Sequence, residues 1–220
     1  MEEIERQGAE LSYLMVYPDE YDQSKEYPLV ILLHGYGASM YDLASLAPAI
    51  HRQGYVYALP NGPIEVEFGP GEYGHSWRPP RGSSSPVDPA LIEAMVDRFF
   101  DEVMQEHRVP RGRALLLGFS QGGGMTYRCG LRRADLFAGL VALGTGFPED
   151  MKASLPEQRS LPVFIGHGMF DNIERAQQAQ AFLSAAGYPI TYHEYPIGHE
   201  ITQHVLDDLV PWVHDVLPPL

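Results

Sequence analysis

The chain has 220 residues, 45% of them hydrophobic and 20% charged, which is ordinary globular composition and excludes a disordered or collagen-like polymer. Its 29 acidic residues against 15 basic ones give a formal charge of −14, a field that repels phosphate backbones and anionic headgroups and argues against nucleic acid as a partner. The lone Cys129 cannot close an internal disulfide, and Met1-Glu2-Glu3-Ile4-Glu5 lacks the basic and apolar runs of a signal peptide, so a cytoplasmic protein is expected.

Against roughly 100–200 residues per domain, the length predicts one domain spanning residues 1–220. In chain order, short apolar runs predict strands at Leu11–Val16, Pro28–Leu33 and Tyr55–Leu59, with a helix over Asp42–Arg52 between the last two. From Pro60 to Val87, 11 of 28 residues are Gly or Pro, which reads as one long loop. Its Ile64, Val66, Phe68, Tyr73 and Trp77 favour packing against something apolar, while its Ser83-Ser84-Ser85 end is expected to be mobile. Asp88–His107 follows with Leu91, Ile92, Met95, Val96, Phe99 and Val103 on one stripe, an amphipathic helix. Further strands are predicted at Ala114–Leu117, Gly139–Leu143, Pro162–Ile165 and Ile190–Tyr195. Helices are predicted over Gln121–Arg133, Glu174–Ala186 and Thr202–Val216, the last kinked or restarted at Pro211. No apolar stretch approaches the ~20 residues that cross a bilayer; Leu29–Leu33 and Phe137–Leu143 are the longest. Most strands are too uniformly apolar to have a wet face, so the alternation predicts an α/β fold with a mostly parallel sheet and helices on both faces.

Gly118-Phe119-Ser120-Gln121-Gly122 fits G-x-S-x-G, in which flanking glycines let a strained turn lift a serine hydroxyl above the sheet. The pattern is weak alone, but here a buried-strand run precedes it and a helical segment follows. A serine is a poor nucleophile without a base, and the base needs a carboxylate to orient it. Asp171, beyond Pro162–Ile165 and the turn Gly166-His167-Gly168, is the expected acid; Asp135 and Asp150 read as solvated charges. Among nine histidines, His199 follows the strand Ile190–Tyr195 and gives the order Ser, Asp, His. His193 falls inside that strand, His204 inside the next helix, and His167 reads as a structural turn residue. For the oxyanion hole, the Gln121 N–H opens a helix, and the second donor is expected from His34-Gly35-Tyr36-Gly37, with Tyr36 favoured. Met40, Phe68, Trp77 and Phe147 are candidates to line an acyl pocket, although each also suits plain packing. Cys129 reads as a small buried hydrophobe.

Taken together, these residues resemble a known family, the phospholipase/carboxylesterase group of α/β-hydrolases, which includes acyl-protein thioesterases and small bacterial esterases. The resemblance covers nearly the whole chain. It rests on Leu33-His34-Gly35-Tyr36-Gly37 with Asp42, Pro60-Asn61-Gly62-Pro63, Ser76-Trp77, Gly118 to Gly123, Gly166-His167-Gly168 with Asp171, and Gly198-His199-Glu200. It implies an α/β-hydrolase fold without a large lid domain. The activity it implies is hydrolysis of a small-molecule ester or thioester through an acyl-serine, with no metal or organic cofactor. Asp171-Asn172-Ile173-Glu174 departs from the family's proline-containing continuation after the acid, and leaves only a short loop before the next helix. A thioesterase or lysophospholipase activity would use the same triad, a non-catalytic ligand receptor would not need it, and a homodimer is compatible with the sequence.

Overall fold

The computed structural model describes residues 1–79 and 87–220. Ten strands are found among them: β1 (Glu2–Gln7), β2 (Ser12–Tyr17), β3 (Leu29–Leu33), β4 (Val56–Pro60), β5 (Ile64–Gly69), β6 (Glu72–Ser76), β7 (Ala114–Phe119), β8 (Phe137–Leu143), β9 (Val163–Gly168) and β10 (Ile190–Tyr195). Eight of them form one sheet in the order β1-β2-β4-β3-β7-β8-β9-β10. Strands β4, β3, β7, β8, β9 and β10 run parallel, and β1 and β2 are antiparallel at one edge. This is the α/β-hydrolase architecture, with no large lid over it among the described residues.

The period-two geometry of a strand divides the core in two. Leu29, Ile31 and Leu33 of β3 point to one face with Ala114 and Leu116 of β7, while Val30, Leu32, Leu115 and Leu117 point to the other. On the first face lie α2 (Pro89–Glu106), through Ile92, Val96, Phe99 and Val103, and α4 (Ile173–Ala185), through Ala176, Ala179 and Leu183. On the second lie α1 (Leu46–Ile50) and α5 (Gln203–Val216), the latter through Val205, Leu209 and Val213. Each fully buried Leu, Val or Phe contributes about 1.5–3 kcal/mol, so the doubly covered central strands hold most of the stability. Asp88 starts α2 by accepting from the Ala90 N–H at 2.9 Å, with Pro89 at the first helical position.

Several elements differ from the sequence expectation. β1 was not anticipated, because Glu-Glu-Ile-Glu-Arg-Gln reads as solvated charge; it is an exposed edge strand whose charges discourage further pairing. The expected long loop contains an antiparallel hairpin, β5 with β6, in which Ile64 faces Ser76 and Val66 faces Gly74. The Ser83-Ser84-Ser85 stretch lies outside the described residues. The helix after Ser120 is not regular to Arg133: α3 spans Gln121–Met125 and then widens into a π turn over Thr126–Gly130, which lays Gly130 against Leu116 and Leu140. Pro211 does not restart α5. It is exposed, as is Asp207, whose carbonyl it leaves free for water, so the buried stripe continues uninterrupted. Among the described residues no helix is long and apolar enough to cross a membrane.

Candidate active site

Ser120 stands between β7 and α3 with φ 55° and ψ −114°, a backbone conformation that a non-glycine residue adopts only when its surroundings enforce it. The enforcement is close packing of main chain. A Cβ on Gly118 would lie 2.2 Å from the Gly122 carbonyl oxygen, and one on Gly122 would lie 2.1 Å from that of Leu33. Glycines at both positions therefore let α3 approach β7 and β3 closely enough to bend the chain sharply at Ser120. The Ser120 N–H is held by the Leu143 carbonyl at 2.8 Å.

Three groups from three loop positions converge here. His199 Nε2 is 2.8 Å from Ser120 Oγ, and His199 Nδ1 is 2.7 Å from Asp171 Oδ2. A carboxylate can only accept, so Nδ1 carries the proton and Nε2 presents a lone pair to the Ser120 hydroxyl. The Phe119 ring packs against that of His199, with centroids 4.8 Å apart. Burial alone would raise the Asp171 carboxyl, but the Asn172 N–H at 2.7 Å and the His199 ring outweigh it and hold the group below the ordinary carboxylate range. α4 begins only two residues on, at Ile173, so the short loop still lets Asp171 reach His199. His167 is not a turn residue: β9 runs on to Gly168, and the buried imidazole puts Nε2 3.1 Å from Asp171 Oδ2 without completing a hydrogen bond among the described residues. Burial pushes its pKa down, against the pull of Asp171.

Tyr36 and Gln121 flank Ser120, and neither backbone N–H donates a hydrogen bond among the described residues. The loop carrying Tyr36 is clamped from two sides. His34 is buried beneath it: Nδ1 faces the Gly35 carbonyl at 2.7 Å while Nε2 accepts from the Gly62 N–H at 2.9 Å, which fixes the Nδ1–H tautomer. Above it the hairpin pairs with the loop, Gly37 N–H to the His75 carbonyl and His75 N–H to the Ala38 carbonyl, both at 2.8 Å. Contact is so close that a Cβ on Gly74 would fall 2.0 Å from the Gly37 carbonyl oxygen. The Gln121 side chain joins the same assembly, accepting from the Trp77 N–H at 2.7 Å and donating to Ser76 Oγ at 3.0 Å. A cavity of about 1120 Å³ opens beside Ser120, His199, Tyr36 and Gln121.

A model of the family described as Phospholipase/Carboxylesterase matches residues 20–216. The chain belongs to this family. Acyl-protein thioesterase 1 of Gibberella zeae is 26% identical over 214 residues, covering 86% of this chain and 91% of its own. A crystal structure of esterase PE8 superposes with TM-score 0.78 at 25% identity, covering 95% of this chain and 100% of that one. The Bacillus cereus carboxylesterase superposes at 0.75, with 21% identity over 94% and 95% of the two chains. The family is thus one of esterase- and thioesterase-type hydrolases.

Within this phospholipase/carboxylesterase chain, the four expected pocket residues separate. Phe147 lines the cavity, packed on Tyr127 and Phe182. Trp77 is fully buried and donates from Nε1 to the His34 carbonyl at 2.9 Å, so it anchors the clamp. Met40 sits in the core on the α1 and α5 face, its N–H held by Asn61 Oδ1 at 2.7 Å. Phe68 is 55% exposed on β5 and meets the edge of Tyr36 outside the cavity. The rival acids are engaged elsewhere, Asp135 by Arg111 and Asp150 by Arg128. Sequence reasoning missed the supporting roles of His34, Asn61, His75 and the Gln121 side chain; their only signal was membership in the short motifs around them.

Proposed function

We propose that the protein is a serine hydrolase cleaving carboxylic esters of short to medium acyl chains through an acyl-serine intermediate. The observation that carries this reading is the contact chain from Asp171 through His199 to Ser120 at 2.7 and 2.8 Å, ending on a serine held at positive φ. His199 Nε2 takes the hydroxyl proton as Ser120 Oγ attacks the acyl carbonyl carbon. Asp171 keeps the ring oriented and stabilises its positive charge. The carbonyl oxygen becomes an oxyanion facing the Tyr36 and Gln121 N–H groups, and each such donor is worth about 3 kcal/mol in the transition state. The leaving alcohol departs with the proton from His199, and water activated by the same ring then releases the acid.

Thioesters are the second substrate class, favoured by the relative named acyl-protein thioesterase; a thiolate leaving group needs the same nucleophile, base and oxyanion donors. The test is hydrolysis of p-nitrophenyl esters from acetate to palmitate, beside matched acyl thioesters, with labelling by a fluorophosphonate probe. Ser120→Ala should lose both labelling and turnover, with kcat down by about 10⁴ or more and the melting temperature retained. A folded wild type that neither turns over nor labels would make the cleft a ligand receptor on a hydrolase fold.

A further inference from the structure

The chain is strongly acidic, at −14, yet the cleft beside Ser120 is not. Four cations line it, Arg78, Arg128, Lys152 and Arg175, against the carboxylates of Glu149, Asp150 and Asp171. Ion pairing consumes most of these charges. Buried Arg128 grips Asp150 with both terminal nitrogens, at 2.7 and 2.5 Å, and reaches Glu93 at 3.4 Å. Lys152 pairs with Glu149 at 2.8 Å, and Asp171 faces His199. Arg78 and Arg175 remain: neither guanidinium makes a hydrogen bond or ion pair among the described residues, although Arg78 helps Arg128 hold the Asp150 carboxyl below its ordinary range. Residues 80–86, which follow Arg78, contain no Asp or Glu, so that segment supplies no carboxylate either.

Both residues line one cavity. Arg175 lies in the first turn of α4, four residues beyond Asp171, with its Nε against the Gly146 backbone, 3.3 Å from where a Cβ would stand. Arg78 lines the same cavity, two residues past Ser76, which is bonded to Gln121. Unpaired guanidiniums in a concavity are planar forks matched to carboxylate or phosphate oxygens. An acidic protein repels anions at long range, so an anionic ligand would need such a local attraction to enter.

We propose that Arg78 and Arg175 are specificity residues that receive a carboxylate on the ester substrate. The preferred substrate is then a negatively charged ester rather than a neutral fatty acyl ester. This rests on the esterase reading above.

Two matched pairs test it, one with the charge in the acyl half and one with it in the alcohol half: mono-p-nitrophenyl adipate against p-nitrophenyl hexanoate, and 4-butyryloxybenzoate against phenyl butyrate. In at least one pair kcat/KM should favour the anion by about tenfold or more, the worth of one charge-assisted hydrogen bond. That ratio should collapse toward one in Arg78→Gln/Arg175→Gln, survive in part in Arg175→Lys, and shrink as salt is raised. Ratios near one in both pairs for the wild type, or a preference that persists in the double variant, would overturn the proposal while leaving the esterase reading intact. If no ester of either kind turns over, the esterase reading fails. Calorimetric binding of monomethyl adipate to Ser120→Ala then decides the proposal alone: it should weaken by about tenfold when both arginines become glutamine, and equal affinity would refute it.

Discussion

Acid should loosen the active-site loop through His34. Burial pushes its pKa from the ordinary 6.5 down to about 4, against the opposing pull of the Gly35 carbonyl. The ring is neutral in the folded protein because Nε2 must accept from the Gly62 N–H, whereas the unfolded chain protonates it below about 6.5. Between those values the unfolded state binds more protons, so stability falls as pH falls. The contribution is complete above about 6.5 and, integrated to pH 4, the loss is about 3 kcal/mol, at up to about 1.4 kcal/mol per pH unit. Urea unfolding across this range would compare wild type with His34→Gln, which cannot titrate. Near neutral pH the variant should be less stable by about 2 kcal/mol, since a buried N–H or C=O loses its partner. Toward pH 4 the gap should close and then reverse by about 1 kcal/mol, because the wild type alone suffers the protonation penalty. The variant should also lose kcat at neutral pH, since the loop presenting the Tyr36 N–H rests on this ring. A stability gap that stays constant from neutral pH to pH 4 would refute the assignment of His34 as a neutral buried rivet.

Three other outcomes are expected. Gly122→Ala forces a methyl into the Leu33 carbonyl, backbone against backbone, and should lower stability by about 3 kcal/mol by denaturant titration while abolishing fluorophosphonate labelling; unchanged stability would mean that α3 does not press on β3 as described. Asp171→Asn should leave the fold intact but lower kcat by about 10⁴, because an amide no longer holds the Nδ1–H tautomer; a variant within tenfold of wild type would move the orienting acid elsewhere. Cys129 is fully buried and its thiol pKa is raised by that burial, so Ellman's reagent should react no faster than the protein unfolds; rapid reaction in native buffer would place the thiol at the surface.

The proposed reacting groups were legible because the fold constrains their order. A strand must precede the nucleophile and a helix follow it, and both features show as local patterns around Ser120. Asp171 and His199 were each found by the strand that delivers them, and both strands, β9 and β10, carry enough apolar residues to be read. Where the pattern was weak, the reading was weak. β1 has one apolar residue among charges, because an edge strand has a solvent side and little core to fill. The hairpin was hidden by a count of Gly and Pro that averaged over it, although Ile64-Glu65-Val66-Glu67-Phe68 alternates and Gly71, at φ 82°, marks the turn.

The supports of the loop carrying Tyr36, the proposed second oxyanion donor, could not be read in the same way, for a physical reason. They are polar contacts across long separations: His34 to Gly62, Gly37 to His75, and Gln121 to Trp77, the last spanning 44 positions. Periodicity reports burial of apolar faces, and it carries no information about which buried polar group meets which. The same limit explains why Trp77 and Met40 were candidates for a pocket. Both are large and apolar in a region near the site, and only their backbone and ring hydrogen bonds reveal that they brace the loop beside Ser120. The hairpin therefore acts on the loop at one remove: Gly74 lets its backbone meet Gly37, and that contact holds the chain one residue beyond the Tyr36 N–H. A change at Gly74 would reach catalysis through the direction of that N–H, with Ser120, His199 and Asp171 left in place.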